Sequence, residues 1–239
     1  MFFFPLFDEN ATSRRPVVVW MIIAACIFAF FWQQSLDVIA AEVAVYQFGF
    51  VPAIVFQDET LPAQFIIVPS WATFITSMFL HGGWLHLGGN MLYLWIFGDN
   101  VEDDMGHARY LIYYLAAGVL ASLAFVFLNA RGDEALTPCL GASGAISGVL
   151  GGYLVLHPNR RVSVILFRFI MDVPGYVAVG IYFLMQVVLG LSDTGGGVAY
   201  SAHVAGFIAG LILAKPLSDR DIRRQADQLV TFRRRHKGR

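Results

Sequence analysis

Two polar residues in otherwise apolar segments have the side chains that acyl transfer needs. Ser143 lies in the run Gly-Ala-Ser-Gly at 141–144, and His203 lies in Ala-His-Val-Ala-Gly at 202–206. A serine hydroxyl needs an adjacent base, and a neutral imidazole can accept its proton and later return it to a leaving amine. The sequence therefore predicts Ser143 as a nucleophile and His203 as its general base and acid.

His86 and Asn90 can serve the same chemistry as oxyanion donors. They are four residues apart, which places them on one face of a helix, one turn apart. An imidazole N–H, an asparagine amide and the backbone N–H of Ser143 are the donors that a tetrahedral intermediate requires. Asp193, the acidic residue nearest to His203, falls in a predicted outer loop, so a Ser–His dyad is the simpler hypothesis.

The composition places these residues in a membrane protein. Of the 239 residues, 57% are hydrophobic and 14% are charged, against about a quarter charged in soluble domains. Cys26 and Cys139 are too few for a disulfide framework and lack metal-ligand spacing. The first apolar run resembles a signal sequence, but it continues past Cys26, which favours a retained membrane span.

Apolar runs that reach, or nearly reach, the length needed to cross about 30 Å of hydrocarbon predict six transmembrane helices. These runs lie near residues 17–36, 85–98, 109–128, 142–157, 174–191 and 199–214. The stretch 65–80 is also apolar, but Pro69 and several Ser and Thr residues interrupt it. It is predicted to be interfacial or partly embedded.

The positions of the basic residues predict the orientation. With six spans and an inner N-terminus, fifteen of the 16 Lys and Arg residues lie on the inner side, and only Arg131 lies outside. A seventh span at 65–80 would move nine of them outside, so six spans are favoured. The three helices that carry the polar residues named above then all enter from the outer face, which places their side chains at one depth.

The predicted fold class is therefore an all-α membrane protein, a six-helix bundle with a long first outer loop. That loop, about 37–84, has no Lys or Arg and is expected to be membrane-associated. The predicted organisation is a cytoplasmic segment 1–16, a membrane domain 17–214 and a basic cytoplasmic tail 215–239. The tail is expected near anionic headgroups, with no nucleic-acid role. It could form a short helix with one face made by Ile222, Ala226, Leu229 and Val230.

Glycines predict how two of the helices meet. Gly206 and Gly210 form a Gly-x-x-x-Gly pair, which allows another helix to approach closely. The facing surface is predicted to come from the fourth span, at Gly141, Gly144, Gly148, Gly151 and Gly152. This packing would bring Ser143 and His203 within hydrogen-bond distance.

Three motifs together resemble the rhomboid family of intramembrane serine proteases. They are Gly-Ala-Ser-Gly at 141–144, Ala-His-x-x-Gly-x-x-x-Gly at 202–210 and His-x-x-x-x-His-x-x-x-Asn at 81–90. The segment 97–111 is similar to the family's loop between the second and third spans. The resemblance covers about residues 70–214.

This resemblance implies a six-helix core and a serine endopeptidase with a Ser143–His203 dyad, supported by His86 and Asn90. It implies cleavage of other proteins' transmembrane segments near the outer face of the bilayer, without a metal or cofactor. Because the sequence shows no obvious transit peptide, the expected location is a bacterial inner membrane, with both termini cytoplasmic and the site opening to the periplasm.

The chain departs from the family pattern at two positions. Ala72 follows Trp71 where many relatives have Trp-Arg, so the anchoring of the first outer loop is expected to differ. Ser147 stands where many relatives carry an aromatic residue that packs on the catalytic imidazole. His203 is therefore expected to rely on other contacts.

Two alternatives remain open. The first is a non-catalytic rhomboid-like protein that binds transmembrane segments, although such proteins characteristically lack the Ser or the His. The second is a metal-dependent enzyme or transporter that uses His81, His86 and His203, although the sequence has no His-Glu-x-x-His motif.

Overall fold

The structure is a computed structural model that describes residues 3–9, 12–55, 61–130, 135–166, 168–192 and 199–219. The predicted tail helix and Arg131 lie outside the described residues. The helices, in chain order, are α1 (Val17–Ser35), α2 (Val38–Phe48), α3 (Pro52–Val55), α4 (Ser70–Thr76), α5 (Trp84–Met105), α6 (His107–Asn129), α7 (Ser143–Leu156), α8 (Gly175–Leu191) and α9 (Tyr200–Leu217). Short 3-10 turns occur at Ala63–Phe65 and Ser77–Phe79.

Six of these helices, α1 and α5 to α9, overlap the six apolar runs predicted as spans. By length and composition α1, α6 and α9 can each cross a membrane. A fourth span results if α5 is counted with Ala63–Phe79, from which it is bent by 83°. The chain is thus a multi-pass membrane protein, and the count of six crossings stays a prediction.

Helix α5 is longer than the sequence predicted. The segment 97–103, which resembles a family loop, is helical, and the turn to α6 falls at Gly106, where φ is +78°. The helix continues because the polar side chains at its C-terminal end have partners there. The fully buried Glu102 accepts hydrogen bonds from the backbone N–H groups of Val18 and Val19, both at 2.9 Å.

Glu102 thereby satisfies two of the N–H groups that the first turn of α1 leaves without intrahelical partners. Its carboxylate also accepts a hydrogen bond from His107 Nδ1 at 2.6 Å. One buried side chain thus joins the beginnings of α1 and α6 to the end of α5.

Replacing Glu102 by alanine is expected to lower the free energy of unfolding by about 3 kcal/mol, because two buried N–H groups lose a charged acceptor. Asp37→Ala is the matched control. Asp37 also caps a helix, accepting from the Ala40 N–H at 2.9 Å at the start of α2, but it does so in an exposed position. Its loss is expected to cost only about 1 kcal/mol. Thermal or SDS unfolding of both purified variants checks this difference, and equal small losses would contradict it.

A small sheet corrects the all-α prediction. Strands β1 (Phe3–Asp8), β2 (Arg161–Leu166) and β3 (Phe169–Pro174) form an antiparallel sheet in the order β1-β2-β3. It was missed because β1 and its partner β2 lie more than 150 residues apart, so no local pattern links them. The segment 1–16 is therefore joined to the membrane domain through β1.

The glycines on α7 and α9 confirm the predicted close packing of these helices. A Cβ placed on Gly206 would overlap the carbonyl oxygen of Gly144, and one on Gly210 would overlap that of Gly148. The two backbones are in direct contact, as only glycine permits. Tyr113 of α6 strengthens this contact, because its hydroxyl lies 2.5 Å from the Gly148 carbonyl oxygen and 3.2 Å from that of Gly210.

Two of the predicted glycines have other neighbours. A Cβ on Gly152 would overlap the Tyr113 hydroxyl, so this glycine faces α6. Gly141 faces His86. The interface between α7 and α9 thus uses Gly144, Gly148 and Gly151, the last packed on the Phe207 carbonyl.

The predicted first outer loop contains helices α2 to α4 and holds the chain that leads into α7. Phe50 and Cys139 form an isolated antiparallel bridge, with N···O distances of 3.1 and 2.8 Å. The Gly141 N–H donates to the Ser77 carbonyl at 2.9 Å. These bonds fix the backbone immediately before Ser143.

Candidate active site

Ser143 and His203 come together at the beginnings of two helices. Ser143 is the first residue of α7, and His203 lies in the first turn of α9. His203 Nε2 lies 2.7 Å from Ser143 Oγ, across 60 residues of sequence. At the start of α7 the first N–H groups have no intrahelical partner, and the helix dipole favours negative charge there.

Gly141 allows the side chain of His86 to approach Ser143. Its φ of +124° is a conformation that residues with a side chain rarely adopt. A Cβ at this position would also lie 2.7 Å from both Cε1 and Nε2 of His86. The imidazole of His86 therefore packs on the turn that precedes Ser143.

The two predicted oxyanion donors both line the cavity that contains Ser143 and His203. The cavity has a volume of about 970 Å³. His86 Nδ1 accepts a hydrogen bond from the Gly82 N–H at 3.3 Å, which leaves the proton on Nε2, the atom nearest Gly141. Asn90 Nδ2 is buried and has no hydrogen-bond partner among the described residues. Both donors are thus available to a ligand in the cavity.

A second contact of His203 was missed by the sequence reasoning. Its Nδ1 lies 2.7 Å from Oε1 of Gln186 on α8, and both side chains are buried. The sequence offered no well-placed Asp to orient His203, and a glutamine was not among the predicted residues. The available signal was an amide in the interior of an apolar run, since polar groups within spans mark functional sites.

Ser147 makes its hydrogen bonds with residues other than His203. Its hydroxyl donates to the Ser143 carbonyl at 2.8 Å and lies 2.8 Å from the Tyr182 hydroxyl of α8. The ring of Tyr200 packs edge-on to His203, with centroids 6.1 Å apart. Tyr200 and Gln186 are therefore the contacts on which His203 relies in place of an aromatic residue at 147.

The histidines do not form a metal site in the described part of the chain. No group of three or more His, Cys, Asp or Glu residues there has a metal-binding arrangement. His81 is buried with its ring 5.2 Å from that of His86, and its Nδ1 is 3.3 Å from the Phe79 carbonyl oxygen. His203 is turned toward Ser143 and Gln186 instead.

Replacing Asn90 by aspartate is expected to lower kcat about 10²- to 10³-fold with little change in KM, because the change removes an amide donor and adds no bulk. Asn129→Asp is the matched control, since Asn129 donates to the Phe125 carbonyl at 2.8 Å at the end of α6, outside the cavity. Steady-state cleavage of a single-span test substrate, the reaction that the family resemblance implies, measures both variants. Wild-type kcat in Asn90→Asp would rule out this donor.

The fold and the site together define a multi-pass membrane protein with a partly buried serine–histidine contact at the beginnings of two helices. A family model described as the rhomboid domain matches residues 68–220. This match covers well over half of the chain, so the chain belongs to the rhomboid family.

Individual relatives agree with this family. The chain is 33% identical over 149 residues to Rhomboid protein 1, mitochondrial, of Saccharomyces cerevisiae, covering 61% of this chain and 41% of that protein. It is 31% identical over 207 residues to Rhomboid protease GluP of Bacillus subtilis, covering 86% and 36%. It is 31% identical over 156 residues to Rhomboid-like protein 11, chloroplastic, of Arabidopsis thaliana, covering 63% and 54%. The alignments thus span between about a third and about half the length of these relatives.

Proposed function

We propose that this chain is an intramembrane serine endopeptidase that hydrolyses peptide bonds in or near the transmembrane segments of other membrane proteins. The observation that carries the proposal is the 2.7 Å contact between His203 Nε2 and Ser143 Oγ. A base within hydrogen-bond distance is what turns a weakly nucleophilic hydroxyl into a reactive one. Membership of a family that includes a protein named as a protease gives further support.

In the first half of the reaction, Ser143 Oγ attacks the scissile carbonyl carbon while its proton passes to His203 Nε2. The resulting oxyanion takes hydrogen bonds from the Ser143 N–H, His86 Nε2–H and Asn90 Nδ2–H. The C–N bond then breaks, His203 gives its proton to the leaving amine, and an acyl-enzyme remains on Ser143.

In the second half, a water molecule gives a proton to His203 and attacks the ester carbon. Collapse of this second intermediate returns the proton to Ser143 Oγ and releases the new carboxyl end. Every proton in this sequence is carried by the protein's own side chains, so the mechanism needs no metal or cofactor.

The substrates that fit this site are single-span proteins whose helix unwinds locally. A regular helix keeps its carbonyl groups hydrogen-bonded and surrounds its backbone with side chains, which hides the scissile bond. The cavity around Ser143 has both polar and apolar walls, with Trp84, Phe125 and Leu189 among the apolar residues. An unwound apolar segment can therefore bind there with its backbone at Ser143.

The proposed topology has six spans, with both termini on the inner side of a bacterial inner membrane and the cavity opening to the outer side. Its support is the positive-inside distribution of Lys and Arg, together with the six helices that overlap the predicted spans. Water for the second half-reaction then enters from the outer aqueous phase.

The experiment that tests this function treats the purified full chain in liposomes with a fluorophosphonate and, separately, with a single-span test substrate. Mass spectrometry is expected to find the phosphonyl group on Ser143, and the substrate is expected to be cut with or without a chelator. Binding of the substrate without cleavage or labelling would favour a non-catalytic rhomboid-like protein. Cleavage that a chelator abolishes while Ser143 stays unlabelled would favour the metal-dependent alternative.

A further inference from the structure

We infer that Gln186 is a positioning residue for His203, so that the reacting pair of Ser143 and His203 is extended to a Ser143–His203–Gln186 chain of hydrogen bonds. The inference rests on the proposed function and adds a third residue to the dyad predicted from sequence. Gln186 acts only through the imidazole.

Each ring nitrogen of His203 has one hydrogen-bond partner. Nε2 is 2.7 Å from Ser143 Oγ, and Nδ1 is 2.7 Å from Gln186 Oε1. Within the described residues, no carboxylate makes a hydrogen bond or ion pair with this imidazole. An amide carbonyl therefore occupies the place that an acidic group has in other serine hydrolases.

An amide oxygen only accepts hydrogen bonds, so its partner Nδ1 must carry the proton. In neutral imidazole one nitrogen then remains as an acceptor, and that nitrogen is Nε2, which faces the Ser143 hydroxyl. The contact with Gln186 thus selects the tautomer that can remove the serine proton. The opposite tautomer would point an N–H at the nucleophile and block the first step.

A neutral partner suits the surroundings of this site. Gln186 lies in the interior of α8 and is buried. An ionised carboxylate at this place would lose its hydration and be costly to bury, whereas an amide makes the same hydrogen bond without a net charge. When His203 becomes an imidazolium during catalysis, Nδ1 still donates to the same oxygen.

Helix α8 is held in position by a second hydrogen bond one turn away. Tyr182 lies on the same face as Gln186, and its hydroxyl is 2.8 Å from Ser147 Oγ on α7. Helix α8 is thus joined to the nucleophile's helix through Tyr182 and to the histidine's helix through Gln186. This double attachment explains how the imidazole keeps its orientation although residue 147 is a serine.

The test compares Gln186→Met with Ser192→Ala. Methionine keeps the length of the side chain and removes the acceptor, so kcat is expected to fall about 10- to 100-fold with KM nearly unchanged. Ser192→Ala removes a hydrogen bond to the Val188 carbonyl at the end of the same helix, outside the cavity, and it is expected to change kcat less than about threefold. Gln186→Glu restores an acceptor oxygen and is expected to recover part of the kcat that Gln186→Met loses.

A spectroscopic measurement separates this inference from the proposed function, because it needs no substrate. In protein with ¹⁵N-labelled histidine, the His203 ring signals, assigned with His203→Ala, are expected to show the Nδ1–H tautomer in the wild type and a mixture of tautomers in Gln186→Met. An unchanged tautomer or an unchanged kcat would overturn the inference even if Ser143 proves essential. If Gln186→Met does not fold, Gln186→Asn, which withdraws the amide by one methylene, is expected to give the same losses.

Discussion

Replacing Ser143 by alanine is expected to lower the single-turnover rate of cleavage by at least about 10⁴-fold, because no other group at the site can form the acyl-enzyme. His203→Ala is expected to cause a loss of similar size, since the hydroxyl 2.7 Å from its Nε2 would lose its base. Residues that act as one unit are strongly non-additive. The double variant is therefore expected to be no slower than either single variant.

The measurement uses a single-span test substrate in liposomes, with enzyme in excess so that binding and chemistry are separated. Ser147→Ala supplies a matched control, because it removes a serine hydroxyl from the same helix, one turn farther along, and leaves the nucleophile in place. Substrate binding by Ser143→Ala is expected to remain at the wild-type level. Losses in the two single variants that multiply in the double variant would show that the two residues act independently, which would contradict the dyad.

The sequence was sufficient to predict which polar groups meet because membrane proteins restrict where such groups can lie. Charge placement puts Ser143 and His203 at one depth, and glycine spacing predicts that their helices touch. The structure has the contact that follows from these two facts. Both patterns are local, and each is governed by one strong physical effect. Such features can be predicted from a single sequence.

The features that were missed depend on long-range pairing or on polar groups that satisfy each other. Glu102 lies in a segment that the family resemblance predicted to be a loop, but its partners Val18 and Val19 come from a helix more than 80 residues earlier. The pairing of β1 with β2 likewise joins the N-terminal segment to the chain between α7 and α8. Gln186 was missed because the expected orienting residue was an acid, whereas a low-dielectric site favours a neutral acceptor.

The family assignment and the geometry of the site support different conclusions. The rhomboid domain match identifies the fold family. Its relatives include a bacterial protein and proteins named as mitochondrial or chloroplastic. The chemistry must be argued from the site itself, because one fold can host active and inactive members. The hydrogen-bonded chain from Ser143 through His203 to Gln186 is the feature that a protein without catalytic function would have no need to maintain.

Gly210→Ala is expected to lower kcat at least about 10²-fold and the free energy of unfolding by about 1–3 kcal/mol, although Gly210 lies two turns from His203 and outside the cavity. The added Cβ would overlap the Gly148 carbonyl oxygen, and backbone cannot move aside as a side chain can. Helices α7 and α9 must therefore separate. Because Ser143 and His203 begin these two helices, their contact lengthens.

Gly180→Ala on α8 is the matched control, since a Cβ at that position meets nothing within 4 Å. It is expected to leave kcat unchanged and to raise stability by up to about 1 kcal/mol, the intrinsic preference of a helix for alanine over glycine. Thermal unfolding and fluorophosphonate labelling of Ser143 measure both effects. Equal behaviour of the two variants would mean that the contact between α7 and α9 does not set the distance between nucleophile and base. A labelling loss confined to Gly210→Ala would show that helix packing and catalysis depend on the same close approach.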